Sequence, residues 1–313
     1  MRAPLPEGLK AADEGFHDVG EGQWWSESWY FDFATRDGAL GGYVRIGFYP
    51  NQQACWYWAC LVGEGRRPVM VVDHDVPPPR RRTLEVRHDG LWADHTIEVP
   101  FDHATLGCEA FGLVLDGPTD AYRPLVGERV PFGLDLEWDT DGVGYRYPPG
   151  ADRYEVPCLV HGEVLVGDER IAVDAIGQRD HSWGPRDWWV LSWTWASGWL
   201  DDGTRFHGVA LRLGDDLLPY HPGYVQAPGG SLAPVEFTDS EATLGDEGLA
   251  TAARVTVGDL VLDVEPVAFA PLLLVDPDGR VDRFPRALCR FSDPATGRRG
   301  TGWVEWNQPQ PQP

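Results

Sequence analysis

Leu159-Val160-His161-Gly162-Glu163-Val164-Leu165, a turn at Gly167-Asp168, and Glu169-Arg170-Ile171-Ala172-Val173-Asp174-Ala175-Ile176 read as a β-hairpin, two short apolar-rich runs joined by a glycine-aspartate turn. The chain passes from it without a break into Gly177-Gln178-Arg179-Asp180-His181-Ser182-Trp183-Gly184-Pro185-Arg186-Asp187-Trp188-Trp189, then Val190-Leu191-Ser192-Trp193-Thr194-Trp195. Turn pairs of the same kind recur at Asp37-Gly38, Asp89-Gly90, Asp141-Gly142, Asp202-Gly203, Gly258-Asp259 and Asp278-Gly279. Helical periodicity is scarce, and 37 Gly and 27 Pro spread through the chain leave no room for a long amphipathic helix. The expected fold class is all-β and antiparallel.

With 313 residues, 42% hydrophobic and 24% charged, the chain is globular and long enough for two ordinary domains or one large β domain. Its 15 Trp and 12 Phe exceed what a core of this size requires and point to an aromatic-lined cavity. A net charge of -23, with Lys10 the lone lysine, argues against nucleic acid and against an anionic membrane surface. The preference for arginine over lysine reads as a GC-rich coding bias. Cys55, Cys60, Cys108, Cys158 and Cys289 form no Cys-x-x-Cys and are odd in number, so reduced, packed thiols are expected. Met1 to Gly15 has no apolar run behind a basic patch, and no stretch approaches the length of a membrane span. The expected location is cytoplasmic.

Residues 24 to 33 read as the first strong strand. Period-two alternation puts Trp25, Glu27, Trp29, Phe31 and Phe33 on one face and Trp24, Ser26, Ser28, Tyr30 and Asp32 on the other. Glu27 is then a carboxyl among aromatics whose pKa should rise unless an arginine compensates, or else it sits at a strand end and reaches water. Pro77-Pro78-Pro79 and Arg80-Arg81-Arg82 read as a stiff basic surface loop. Tyr147-Pro148-Pro149-Gly150 is the best linker, which divides the chain into β domains at 1–150 and 151–306 with a disordered or extended Gln/Pro tail at 307–313. Trp189, Leu191, Trp193 and Trp195 would share one strand face, and the return strand would carry His207 with Val209 and Leu211. Gly42-Tyr43-Val44 after the first turn and His207-Gly208-Val209 after Asp202-Gly203 are a short internal echo, as duplicated halves would leave.

Between Arg179 and Asp187 the chain crowds two arginines, two aspartates, a histidine and a serine against a tryptophan-rich strand. Charges and indole side by side suit the rim or floor of a pocket. The structural alternative is an ion-paired corner, with Arg179 or Arg186 clamping Asp180 or Asp187. There is no Gly-x-Ser-x-Gly elbow, phosphate-cradling loop or dinucleotide fingerprint. Asp73-His74-Asp75 with His88, His95 and His103 lacks the spacing of usual metal sites and reads as surface turns, so no metal and no cofactor are expected.

Arg179-Asp180-His181-Ser182-Trp183-Gly184, with Glu27-Ser28-Trp29-Tyr30-Phe31 near the start and Gly302-Trp303-Val304-Glu305 near the end, resembles the carotenoid 1,2-hydratase (hydroxyneurosporene synthase) and AttH-like superfamily, including uncharacterised actinobacterial branches. The resemblance implies two lipocalin-like antiparallel β-barrel domains. It also implies relatives that hydrate isoprenoid double bonds without a cofactor and others that act as cyclases or pericyclases in natural-product pathways.

Protonating an alkene needs an acid kept neutral, and the resulting cation needs stabilisation that does not trap it, which indole faces supply. On that scheme Asp180 donates or positions the proton, His181 relays it or activates water, and Arg186 and Arg179 orient carboxylates. Trp29, Trp183, Trp189, Trp193 and Trp195 form the wall, with His207 and Trp303 as further substrate contacts. Glu27 and Tyr30 are the second choices for acid and hydrogen-bond partner. Two other readings remain: a carrier that sequesters a hydrophobic metabolite unaltered, and a sugar-binding surface with tryptophans displayed on a flat exterior.

Overall fold

The alternating runs and their turns become β-strands joined by tight connections in the computed structural model, which describes residues 5–79, 81–123, 127–214 and 216–310. Arg80 of the expected basic loop and residues 311–313 of the expected tail lie outside the described residues. At the Gly167-Asp168 turn, Gly167 adopts φ 59°, the left-handed region that favours glycine.

The first sheet contains β1 (Trp25–Thr35), β2 (Leu40–Tyr49), β3 (Ala54–Gly63), β4 (Arg66–Val76), β5 (Glu85–His88), β6 (Leu91–Val99), β7 (His103–Val114), β8 (Glu128–Thr140), β9 (Tyr145–Arg146), β10 (Asp152–Val166) and β11 (Glu169–Pro185). Its strand order is β4-β3-β2-β1-β11-β10-β8-β7-β6-β5, and pairing of β4 with β7 closes it on itself. The second contains β12 (Ser192–Leu200), β13 (Arg205–Leu213), β14 (Asp216–Leu217), β15 (Pro222–Gln226), β16 (Leu232–Leu244), β17 (Ala250–Val257), β18 (Leu260–Phe269), β19 (Leu272–Val275), β20 (Val281–Phe284), β21 (Arg286–Ser292) and β22 (Arg299–Pro309). The run β12-β13-β15-β16-β17-β18-β21-β22 closes through β12 and β22. The fold is all-β, two lipocalin-like antiparallel barrels. The echoed segments at Gly42 and His207 fall on β2 and β13, the second strand of each.

Three apolar layers result. One fills the first barrel with Trp29, Phe31, Phe33, Leu106, Leu136 and Trp138. Another fills the second with Phe206, Phe237, Leu262, Phe291 and Val304. Between them lies a third, built from Tyr30, Tyr43, Trp58, Trp195, Tyr224 and Trp303. The barrels are stitched across it by Trp303 Nε1 donating to Phe33 O at 2.9 Å and Tyr43 OH donating to Ala270 O at 2.9 Å.

Three boundaries differ from expectation. The break placed near residue 150 lies inside the first sheet, because Tyr147-Pro148-Pro149-Gly150 turns between β9 and β10, which pair with each other. The chain changes sheets between Pro185 and Ser192. Trp189 and Leu191 precede β12 rather than sharing its face, because Asp187 accepts the Trp189 backbone N–H at 3.0 Å and turns the chain. The tail expected from residue 307 begins as ordered strand: Asn307 is 1% exposed, and its Nδ2 donates to Trp188 O and Leu191 O at 2.9 and 2.8 Å.

All five cysteines are free and buried. Among the described residues no helix is long and apolar enough to cross a membrane. No tryptophan is exposed: each of the fifteen is buried or half-buried, which removes the flat tryptophan platform of the sugar-binding reading.

Candidate functional site

Strands β1 and β11 are paired neighbours with Glu27 opposite Trp183, Trp29 opposite His181 and Tyr30 opposite Asp180. Gly177 permits their close approach, since a Cβ there would stand 2.1 Å from Asp32 O. Because side chains alternate, the pair presents two chemically separate faces. Glu27, Trp29, Arg179, His181 and Trp183 point into the first barrel, while Tyr30, Asp32, Gln178 and Asp180 point toward the second. The expected catalytic residues are therefore divided between two clusters, with Asp180 and Tyr30 in one and Glu27 and His181 in the other.

On the outer face Arg153 Nη2 donates to Asp180 Oδ2 at 2.6 Å and its Nε to Glu155 Oε1 at 2.7 Å. Glu155 also accepts from Gln178 Nε2 at 2.9 Å and Trp195 Nε1 at 3.2 Å, and Tyr147 OH stands 3.3 Å away. Tyr147 OH is 2.7 Å from His207 Nε2. Since His207 Nδ1 faces Ala196 O at 3.1 Å, Nδ1 carries the proton and Nε2 accepts from the phenol. Burial, reinforced by the Arg153 charge, pushes His207 well below its usual range and keeps it neutral.

The carboxyls here are shifted toward their protonated forms. Burial raises Asp180 to about 7, against the pull of Arg153 and with a contribution from Glu155. Glu155 is raised by burial in the same way. Asp32 is pushed up to about 8 by burial although it accepts the Gln178 N–H at 2.8 Å and the Tyr30 hydroxyl at 3.0 Å. The clamp on Asp180 is thus Arg153 on β10, not Arg179 or Arg186, and Asp187 instead pairs with Arg280 at 3.0 Å. Arg179 immediately precedes Asp180 in the strand and must face the opposite way.

Aromatic rings and two further guanidiniums complete this side. Arg45 is 3% exposed, with its Cζ 4.5 Å from the Trp58 ring and 5.3 Å from that of Trp188. Arg186 Nη2 donates to Ser182 Oγ at 3.2 Å, and burial together with the charges of Arg153 and Arg45 lowers its pKa to about 10. Trp193 Nε1 donates to Glu305 Oε1 at 3.1 Å, and Glu305 pairs with Arg286 at 3.0 Å. The cluster meets solvent: the Arg153 side chain is 13% exposed, and Trp193 and Arg186 are half-buried. Trp189 and Trp303 belong to the packing between the barrels, Trp189 Nε1 donating to Leu274 O at 3.3 Å.

Inside the first barrel, Arg179 forks onto Glu14 at 2.9 and 2.7 Å. Tyr154 OH and the Phe101 N–H also donate to Glu14, at 2.5 and 2.7 Å. Burial would raise this carboxyl, but Arg179 and these donors outweigh it and hold Glu14 below its ordinary value. Glu27 Oε1 lies 2.8 Å from His17 Nδ1 and 3.0 Å from His181 Nε2. Burial acts to raise Glu27 too, yet hydrogen bonds from the two histidines leave it lowered, so histidines do what an arginine was expected to do. Trp29 stacks on His181 at 4.0 Å and Trp183 on His17 at 3.6 Å.

The histidines expected in surface turns lie in strands instead, and hydrogen-bonded neighbours hold three of the four. His74 accepts from Trp58 Nε1 at 2.8 Å, His88 pairs with Asp73 at 2.7 Å and His103 with Asp139 at 2.8 Å, while His95 is 4% exposed inside the first barrel. A pocket of about 300 Å³ opens at the seam beside His74, lined also by Met70, Val72, Arg123, Leu272 and Leu273. None of the expected site residues lines it. Trp58, which bonds His74, is also the ring over which Arg45 lies.

Glu14, His17, Asp32, Tyr147, Arg153 and Glu155 were not singled out in the sequence. Arg153 and Glu155 alternate with the apolar Tyr154, Val156 and Cys158, a legible strand pattern whose partner strand was not.

Residues 10–310 match the family profile of a domain of unknown function, DUF7064. No curated protein sequence matches the chain. Among solved structures it is similar to an AttH-type protein from Nitrosomonas europaea, with 16% identity, TM-score 0.66 and coverage of 97% of this chain and 98% of that one. It is also similar to kievitone hydratase from Nectria haematococca (11%, TM-score 0.62, 98% of each chain) and to CghA in complex with Sch210972 (12%, TM-score 0.54, 98% and 95%). At these identities the likeness is one of fold, and the fold is AttH-like.

Proposed function

This chain belongs to the DUF7064 family, and we propose that it is a cofactor-independent acid/base enzyme of the hydratase or cyclase kind, acting on an apolar isoprenoid or polyketide-like molecule between the barrels. The same reading places it in an actinobacterial branch of the AttH-like superfamily and in the cytoplasm. The Arg-rich composition and the five free, buried thiols support these two placements. The observation that carries the reaction is a carboxyl, Asp180, raised to about 7 and held at 2.6 Å by Arg153, which also binds Glu155, the acceptor of the Trp195 indole N–H.

The Asp180 carboxyl transfers its proton to the alkene, a C–H bond forms as the π bond breaks, and the cation spreads over the adjacent aromatic faces. Such contacts contribute roughly 2 kcal/mol when desolvated. Arg153, already 2.6 Å from Asp180, stabilises the carboxylate left behind. Water attacking the cation returns its proton to Asp180 and closes a hydration cycle. Loss of a neighbouring C–H proton to the Asp180 carboxylate gives isomerisation, and attack by a second double bond moves the cation to a new carbon, from which loss of a proton to the same carboxylate gives the cyclised alkene. Glu155, Tyr147 and His207 form a line along which a proton can move. Arg45 and Arg186 present donors to an oxygen of the substrate. A hydratase among proteins of this fold supports the class of reaction.

The test is Asp180→Asn against a panel of terpenoid and polyketide alkenes. Turnover should fall by about 10²- to 10⁴-fold, the share general acid catalysis contributes. Full turnover by D180N on every substrate the wild type converts would overturn the assignment. Extraction of an unaltered ligand from protein that converts nothing would establish the carrier instead.

A further inference from the structure

We propose that His17, Glu27 and His181 form a binding site for a divalent transition-metal cation, zinc or a neighbour of it in chemistry, inside the first barrel. Their ligand atoms lie within 4.8 Å of one another. Both inward ring nitrogens address one carboxylate oxygen, His17 Nδ1 at 2.8 Å and His181 Nε2 at 3.0 Å.

The outward nitrogens decide where the protons are. His181 Nδ1 is 2.9 Å from Asp13 O, a carbonyl that can only accept, so this nitrogen bears hydrogen. His17 Nε2 stands 3.8 Å from Asp13 Oδ1, too far for a hydrogen bond, and is free to carry the proton when Nδ1 gives its lone pair to an ion. A neutral imidazole protonated on its outer nitrogen offers a lone pair on the inner one. Without an ion the inner nitrogens hold their protons against the Glu27 carboxylate; a cation that displaces those protons meets two imidazole lone pairs and a carboxylate oxygen converging on a common point.

Two imidazoles and one carboxylate are the donor set that suits zinc and late first-row divalent ions. Donors about 2.0–2.2 Å from such an ion stand roughly 3.0–3.5 Å apart, so a small outward shift admits it. The outer partner that a metal-bound histidine requires is in place for His181, the Asp13 carbonyl at 2.9 Å, and the Asp13 carboxylate stands 3.8 Å from His17 Nε2, a short side-chain movement from serving the second ring. Trp29 and Trp183 hold the two ring planes by stacking, at 17° and 8°. His17 is 22% exposed, which leaves a side for the ion to arrive and for water to complete its shell.

The experiment uses the full chain, stripped with chelator and titrated with Co(II) and Zn(II). It reads cobalt ligand-field absorption, bound metal per chain and Tm. One ion per chain is expected, with a Tm rise on loading because the ion ties the segment before β1 to the barrel. Asp13→Asn, which removes only an outer partner, should weaken affinity by about 10–100-fold, and His17→Ala by more. His103→Ala, at the surface cluster with Glu137 and Asp139, should leave the affinity unchanged. Wild-type affinity no greater than that of both H17A and D13N would overturn the proposal and leave a proton-bridged ion cluster. Binding abolished by H103A and retained by H17A would overturn it equally.

Discussion

The two faces of the β1 and β11 pair bury carboxyls to a similar depth and treat them in opposite ways. Inside the first barrel, Glu14 and Glu27 are 4% and 2% exposed and both are held below their ordinary values. Between the barrels, Asp180 and Asp32 are 5% and 2% exposed and both are raised, to about 7 and about 8. Exposure does not account for this difference. Glu14 has a whole guanidinium to itself, a phenol and a backbone N–H, whereas Asp180 shares one guanidinium with Glu155, and Asp32 accepts only from neutral donors. Burial raises a carboxyl, and the positive charge brought to it decides whether that rise survives: Glu155 accepts from Arg153, Gln178 and Trp195 yet stays raised, because its guanidinium is shared with Asp180. The inner face is consequently built for stability and the outer face for holding a proton.

Replacing Arg179 by Met should break this contrast most severely. It strands Glu14 in the barrel and should cost about 3–5 kcal/mol in urea unfolding, the usual loss when one partner of a buried pair is removed. A loss below about 1 kcal/mol would mean that Glu14 is not ionised. Asp32→Asn is the counterpart on the outer face. An amide replaces a carboxyl that is neutral in the folded protein, so below about pH 4, where the unfolded chain is neutral there too, the loss should stay within the roughly 0.5–1.5 kcal/mol of an ordinary hydrogen bond. Between about pH 4 and 8, as the wild type loses the Asp32 contribution, the variant should become the more stable protein.

The pH dependence sharpens the comparison further. Asp180 and Asp32 have folded values above the ordinary 3.8, so their contribution is complete below about pH 4 and is lost as pH rises through about 7 and 8. Glu14, lowered from 4.5, contributes above that pH and loses its share as pH falls through its folded value. Wild-type unfolding midpoints followed from pH 3 to 9 should therefore decline at both ends, and D32N should flatten only the alkaline limb. An effect of the size given for Asp32→Asn at low pH is expected of Trp195→Phe. That substitution removes the 3.2 Å bond to Glu155 and should cost about 0.5–1.5 kcal/mol by thermal melting, with near-UV dichroism otherwise retained.

Much of the fold was legible. Each Asp-Gly or Gly-Asp pair marked a connection between strands, and alternation in residues 24 to 33 sorted Glu27 from Tyr30 and Asp32 correctly. The same rule, applied to Arg179-Asp180-His181, already forbade Arg179 and His181 from working beside Asp180. Grouping those three as one site overlooked it. Arg153, Glu155 and His17 escaped for another reason: they reach Asp180 and Glu27 through pairing of β10 with β11 and through the turn before β1, contacts that leave no mark in local spacing. The break near residue 150 failed because two prolines and a glycine suit a hairpin loop as well as a linker.

By itself the sequence determined the class of fold and the face on which each strand residue lies, since both depend on side-chain period and turn chemistry, which act over a few residues. Only the tertiary structure decided which positive charges and donors surround each carboxyl, and hence that Glu14 is held below its ordinary value while Asp180 is raised to about 7. Ionisation depends on the charges and dipoles gathered around a buried group, and here those arrive from strands far apart in the chain.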